Sequence, residues 1–300
     1  MEIASIFQAM GTFYVVSTPI GNLRDLSPRA GETLASVALV LAEDTRRSAI
    51  LLNHLGVKVP LRSCHRHNEA SRVEETLRRL GEGEDVALVS DAGTPLVSDP
   101  GERLVARVIE AGHPVVAIPG PSAILAALVT SGLPALPFTF VGFPPRKGKD
   151  RKAFLTRLAA ATETVVLFES PERVAALLHA LAETPGGEAR EASVSRELTK
   201  LHEETRRGTL EALARYYEED PPKGEVTVVL GPATPLEASE DADREAVDAL
   251  GAALLREGTS PSRAARQVAR RLGLPRNEVY RWIQELSSEM AGPEADGPDR

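Results

Sequence analysis

Ser90-Asp91-Ala92-Gly93-Thr94-Pro95-Leu96-Val97-Ser98-Asp99-Pro100-Gly101 follows Asp85-Val86-Ala87-Leu88-Val89, a short apolar run that reads as a buried strand. It precedes Glu102 to Ile109, whose apolar residues recur at helical spacing. The stretch is therefore a loop that leaves the carboxyl end of a strand and enters a helix, the place where open α/β sheets bind ligands. Gly93 and Gly101 let a backbone approach closely, and Pro95 and Pro100 stiffen the loop.

The same unit recurs on either side. Upstream, Thr12 to Ser17 is β-branched and aromatic and reads as a first strand. Thr18-Pro19-Ile20-Gly21-Asn22-Leu23 follows it, then Ser27 as cap and Pro28 as the first helical residue. There is no Gly-x-Gly-x-x-Gly here, so an ordinary dinucleotide site is not supported. Val37 to Ala42 is a second strand ending in Glu43-Asp44-Thr45-Arg46-Arg47, where Asp44 is placed to cap the next helix. Leu61 to Ser63 leads into Cys64-His65-Arg66-His67-Asn68-Glu69, whose spacing does not suit a structural zinc site, so no metal is expected. Downstream, Val115 to Ile118 is a strand, and Pro119-Gly120-Pro121-Ser122-Ala123 opens a helix whose first-turn N–H groups suit a ligand's polar edge. Strands alternating with helices predict a parallel sheet.

Gly132 to Pro137 holds three breakers and marks a boundary. Beyond it come a strand at Phe138 to Phe143, the basic loop Pro144 to Lys149, and a helix from Arg151 to Ala160. Strand Thr164 to Phe168 then ends in Glu169-Ser170-Pro171-Glu172-Arg173. Ala192 to Glu204 reads as a strand running into a very polar segment, Thr209 to Tyr217 as a helix, and Glu225 to Leu230 as the last strand. Fewer helices per strand predict a mixed sheet in this half. Ala246 to Glu257, Ser260 to Leu272 and Arg276 to Leu286 read as helices, the last two as a helix-turn-helix unit.

At 300 residues the chain suits two domains and a small appendage. The single cysteine, Cys64, fits a reducing compartment, no run approaches a membrane span, and Met1 to Ala9 does not read as a signal peptide; a cytoplasmic location is expected. A net charge of −8 argues only weakly against nucleic acid, because the distribution is uneven. Arg146, Lys147, Lys149, Arg151, Lys152 and Arg157 face Asp150 alone, and Arg256 to Arg281 holds seven arginines against Glu257 and Glu278. Arg263, Arg266 and Arg270 lie in that second patch. Glu285 to Arg300 is acidic and rich in Gly and Pro, and reads as a disordered tail.

Six stretches stand in this order: Ser17 to Leu23, Glu43 to Arg46, Ser90 to Pro95, Pro119 to Ala123, Phe168 to Arg173, and Arg196-Glu197-Leu198-Thr199-Lys200. Through them the chain, from about Thr12 to Gly231, resembles the tetrapyrrole methylase superfamily and, within it, the bacterial ribosomal RNA small subunit methyltransferase I branch. The resemblance implies two α/β domains with S-adenosylmethionine in the cleft between them, plus a small C-terminal helical unit. The expected division is a leader at 1–11, α/β domains at 12–133 and 134–232, a linker and helical unit at 233–290, and an acidic tail at 291–300. It also implies 2′-O-methylation of a cytidine of 16S rRNA by a homodimer. The cofactor would lie on Pro19, Gly21, Ala92, Gly93, Thr94, Val97, Ser122, Ala123, Phe168 and Glu169, and near Leu198 and Val226.

A ribose hydroxyl is a poor nucleophile, so a base or a cation beside the forming oxyanion should help. Lys200 is the first candidate, either partly neutral in a dry cleft or as a cation. Glu169, Glu197 and Asp44 could orient it or the ribose, and Asp44 and Arg46 could hold the nucleotide. The basic loop 146–152 and the helical unit are candidates for phosphate contacts on the small subunit or its RNA. Two rivals stand beside this reading: a small-molecule methylase, which does not need the basic loop, and a nucleic-acid-binding regulator, which does not need the loops at strand ends.

Overall fold

The computed structural model describes residues 10–65, 68–233, 240–272 and 274–291. Most of the expected leader, Arg66 and His67, the linker at 234–239 and nearly all of the acidic tail lie outside the described residues. By internal packing the chain divides into one unit up to Ala233 and a second from Thr234 onward.

The first half of the larger unit alternates strand and helix. β1 is Phe13–Val16, α1 Pro28–Ser36, β2 Leu39–Ala42, α2 Thr45–His54, β3 Leu61–Ser63, α3 Glu69–Gly81, β4 Val86–Val89, α4 Glu102–Glu110, β5 Val115–Ile118 and α5 Ala123–Thr130. All five strands are parallel, in the order β3-β2-β4-β1-β5. β2 and β4 are buried along their whole length, as unbroken apolar runs must be when helices cover both faces. Alternate residues feed two cores: Val16, Val40 and Ala87 pack with Leu34 on one face, and Phe13, Leu41 and Leu88 with Leu104 on the other. Each fully buried Leu or Val there contributes roughly 1.5–3 kcal/mol. The helix starts are where the capping residues predict them. Ser27 Oγ accepts the Ala30 N–H at 3.1 Å with Pro28 next to it, and Asp44 caps α2.

The second half holds β6 Phe138–Phe140, α6 Gly148–Ala159, β7 Thr164–Glu169, α7 Val174–Ala182, β8 Glu191–Arg196, β9 Glu204–Thr209, α8 Leu210–Glu219 and β10 Val226–Leu230. The sheet order is β6-β7-β10-β8-β9; β6 pairs with β7 in parallel and the other pairs are antiparallel. The mixed sheet is thus as expected, but one strand was not. The very polar segment after β8 turns at residues 197–203 and returns as β9, Glu-Thr-Arg-Arg-Gly-Thr, an edge strand with no buried residue. Edge strands with charged side chains resist pairing with other chains, and this one carries no apolar alternation to betray it.

One face of this sheet packs on α7 and α8 through Leu177, Leu178, Leu213 and Val228. The other face meets α5: Val166 and Val229 cluster with Ile124, Ala127, Leu128, Ile20 and Leu198. α5 therefore joins the halves, with the loops that follow β1 and β8 packed beside it.

The C-terminal unit has three helices, α9 Glu240–Arg256, α10 Pro261–Leu272 and α11 Arg276–Ala291. Ala264, Ala265, Val268 and Ala269 of α10 pack against Val279, Trp282 and Ile283 of α11 and Val247 of α9. The small alanines let α10 lie close, and the arginines between them face solvent.

Candidate functional site

β1 lies between β4 and β5, so the loops at the carboxyl ends of these strands are neighbours. Backbone bonds lock two of them together. Thr18 N–H donates to Gly93 O at 2.8 Å and Gly93 N–H to Thr18 O at 3.0 Å, while Thr18 Oγ1 donates to Ser90 O at 3.0 Å. Gly93 has φ +88°, a conformation that favours glycine. Gly120, after β5, is pressed against the β1 loop: a Cβ there would stand 2.9 Å from Ser17 Cβ.

These loops form one wall of a cavity of about 750 Å³. The other wall comes from the second half, with Phe143 after β6, Phe168 to Pro171 at the end of β7, and Gly224 to Thr227 at the start of β10. Its size and its largely apolar lining with a few polar groups are those of a small-molecule or cofactor site.

The expected residues divide. Ala92, Gly93, Thr94, Val97, Ser122, Ala123, Phe168, Glu169 and Val226 all line this one cavity. Leu198 lies beneath it in the apolar cluster with α5. Pro19, Gly21, Asp44, Arg46, Glu197 and Lys200 are not on its wall. Arg146, Lys147, Lys149 and Lys152 are exposed on the loop before α6 and on its first turns, where the half-buried Arg151 donates to Pro145 O at 3.2 Å. Arg263, Arg266 and Arg270 are exposed on α10.

Lys200 is a cation held by two carboxylates. Nζ donates to Glu197 Oε1 at 2.9 Å and to Glu225 Oε2 at 3.0 Å. Partial burial pulls its pKa down, but these two bonds outweigh that and raise it above the ordinary lysine value. The partly neutral lysine considered from sequence is thus replaced by a charged one, because Glu197, three residues away, and Glu225, just before β10, both accept from Nζ. The turn that carries Lys200 has left-handed residues at Glu197 (φ +50°) and Thr199 (φ +67°). The lysine's stem closes over Gly21, where a Cβ would fall 2.4 Å from Lys200 Cγ.

Asp44 is likewise committed. Its Oδ1 accepts the Arg46 N–H at 2.9 Å, and its two oxygens take a forked pair of bonds from the Arg46 side chain. The Arg46 side-chain bonds, then its backbone N–H, hold the Asp44 pKa at about 2. Asp91 accepts the Asp44 N–H at 3.0 Å and sits 3.7 Å from Arg47 Nε. Glu169 is 2 % exposed; Oε1 takes the Ser170 N–H and the Arg173 guanidinium, and buried Oε2 has no hydrogen-bond partner among the described residues.

Several wall residues were not singled out from sequence: Ser17, Glu43, Arg47, Asp91, Asp99 and Phe143. Asp99 is the one with an unusual charge state. Burial, then the nearby Glu43 charge, push its pKa up to about 6 against a hydrogen bond with Ser90 that lowers it. The only signal in the sequence was its place in the strand-to-helix loop.

A family model described as Tetrapyrrole (Corrin/Porphyrin) Methylases matches residues 12–214, and one described as RsmI C-terminal HTH domain matches residues 241–287. The chain is 44% identical over 280 residues to "Ribosomal RNA small subunit methyltransferase I" of Synechocystis sp., covering 93% of this chain and 100% of that protein. It is 47% identical over 285 residues to the protein of the same name from Mesorhizobium japonicum, covering 95% and 94%. Among solved structures, uroporphyrin-III-C-methyltransferase from Thermus thermophilus is similar, with a TM-score of 0.51 at 21% identity over 74% of this chain and 93% of that one, a likeness of fold.

Proposed function

The chain belongs to the tetrapyrrole methylase family and, within it, to the ribosomal RNA small subunit methyltransferase I group, and from that premise we propose that it methylates 16S rRNA with S-adenosylmethionine, at the ribose 2′-hydroxyl of a cytidine. The observation that carries this reading is the cavity shared by both halves, large enough for a nucleoside cofactor, with Phe143 on its wall three residues before Arg146 of the basic loop.

The residues present fit the cofactor. Gly93 and Gly120 bring backbone to the cavity wall with no side chain in the way, the first turn of α5 offers N–H groups, and the orphaned Glu169 Oε2 awaits a donor. Apolar Ile20, Ala123, Phe168 and Val226 would pack the cofactor's adenosine and side chain. Bound there, S-adenosylmethionine supplies an electrophilic methyl group.

The chain's own residues align the acceptor and exclude water. Lys200, as a cation, fixes Glu225 on the wall and closes over Gly21, and Glu197 steadies that lysine. Asp44 and Arg46 form a fixed polar pair at the α2 start, beside Asp91 of the wall. Arg146, Lys147, Lys149, Arg151 and Lys152, with Arg263, Arg266 and Arg270 of the helical unit, would contact RNA phosphates. We further propose that the protein acts in the cytoplasm as a homodimer. Among the described residues no helix is long and apolar enough to cross a membrane.

The test is methyl transfer from labelled S-adenosylmethionine to unmodified small-subunit particles and to free 16S rRNA, followed by nuclease mapping. Label on one ribose 2′-oxygen is the expected result. Cofactor binding without label on either RNA would point instead to a small-molecule methylase, and no cofactor binding to a regulator.

A further inference from the structure

Asp99 lies on the cavity wall, in the loop between β4 and α4. Its loop tip carries two left-handed non-glycine residues, Leu96 (φ +73°) and Ser98 (φ +71°), a strained arrangement that functional sites often retain. The tip reaches across to the second half, where a Cβ on Gly142 would lie 3.7 Å from Ser98 Oγ. Gly142 is followed directly by Phe143 and then by the basic run from Arg146. Val97 and Phe143, both exposed and both on the cavity wall, therefore form an apolar rim between the basic loop and Asp99. An RNA strand held on the basic loop would present its nucleotide to this rim, with Phe143 offering an aromatic face.

Four of the other carboxylates at the site carry a cation partner, with Glu169 Oε2 alone left over, whereas Asp99 bonds the Ser90 hydroxyl and is paired with no basic side chain among the described residues. Asp91 accepts a backbone N–H and faces Arg47, Glu169 is tied to Arg173, and Glu225 and Glu197 are tied to Lys200. We propose, on the reading that this cavity is a methyl-transfer site, that Asp99 is the general base that takes the proton of the acceptor hydroxyl. As the hydroxyl O–H bond breaks, the proton passes to the Asp99 carboxylate. The oxygen bonds to the methyl carbon, and the carbon–sulfur bond of the donor breaks with its electron pair going to sulfur. Protonated Asp99 then returns the proton to water. A carboxylate that titrates near neutrality is both ionised and basic enough for this at cellular pH. The charged groups facing it are Glu43 and Arg47 from the end of β2 and the start of α2, Asp91 from its own loop, and Glu169 and Glu225 across the cavity.

Three measurements on the full-length protein test it. First, single-turnover methylation of saturating small-subunit particles should rise with pH through about 6 in the wild type and fall at least a hundredfold in Asp99→Asn. Second, S-adenosylmethionine affinity by calorimetry should be unchanged within about threefold in the same variant, a difference under 1 kcal/mol. Third, the Asp99 carboxyl carbon, followed by NMR without cofactor, should titrate near 6 and shift to lower pH in Glu43→Gln, as should the limb of the rate profile. Wild-type protein that binds cofactor but methylates no RNA would defeat the functional reading itself. Active wild type with Asp99→Asn keeping its rate and its acid limb would overturn the role of Asp99 alone, as would cofactor affinity lost in step with rate.

Discussion

Arg190 offers the sharpest test of how the second half is held together. It is 4 % exposed, and its guanidinium meets carbonyls rather than a carboxylate among the described residues; burial lowers its pKa. Nε donates to Gly231 O at 2.7 Å, Nη1 to Leu158 O at 2.6 Å and Nη2 to Ala161 O at 3.4 Å. The first of these carbonyls follows β10, and the other two end α6 and its following turn, where the helix dipole favours a cation. Arg190→Met keeps most of the volume and removes all three donors. Two carbonyls would lose short bonds to a charged donor, each loss costing about 1–3 kcal/mol, and relief of the guanidinium's own desolvation offsets part of that. The net loss should be about 3 kcal/mol, which lowers Tm by roughly 6–12 °C for a unit of this size. Arg190→Lys should recover less than half, because one ammonium cannot span the forked acceptors. Differential scanning calorimetry at pH 7 reads both. A methionine variant within about 0.5 kcal/mol of wild type would refute the reasoning, since that is the range of an ordinary surface change.

Three further predictions concern the site and its approach. Gly120→Ala drives a Cβ to 2.9 Å from Ser17 Cβ, and overpacking of about 1–3 kcal/mol at the cavity wall should weaken S-adenosylmethionine binding about tenfold or more by calorimetry. Alanine at Arg146, Lys147, Arg151 and Lys152 should lower the slope of log affinity for 16S rRNA against log salt by about one for each phosphate no longer neutralised. An unchanged slope would remove this loop from the interface. Asp44, whose folded pKa of about 2 lies below its ordinary 3.8, contributes stability that is full above about pH 4 and is lost as pH falls through about 2. The stability gap between wild type and Asp44→Asn should therefore close over that interval in acid melts.

Four strands of the first sheet were legible because they are short unbroken apolar runs bounded by Gly, Pro and capping residues, signals that depend only on neighbours in sequence; β3, Leu-Arg-Ser, has no such run and was not read as a strand. β9 was not, because an edge strand of Glu, Thr and Arg has neither a buried face nor alternation. The cavity wall was legible in the Gly- and Pro-bearing loops after β4 and β5, whereas the loop after β1 meets the cavity through Ser17 and Ile20 and not through the expected Pro19 and Gly21. The charge states were not. Lys200 stays a cation through Glu197 beside it and Glu225, which is 25 residues further on, and Asp99 is raised by burial and by Glu43; Glu225 and Glu43 are not close in sequence to the groups they act on. Cys64 makes the same point in reverse. Its segment of His, Cys and Glu reads from sequence as a polar loop, yet the cysteine itself is fully buried in the first half's core, which pushes the thiol up to about 11.

Trp282, buried on α11 in the cluster it shares with α9 and α10, is the chain's single tryptophan. Indole emission is thus a native optical probe of the C-terminal helices alone, while the methyl-transfer half is spectroscopically silent at that wavelength. A change in that emission when RNA is added reports the helical unit without a label, and titrating cofactor against the same signal shows whether the α/β unit speaks to it.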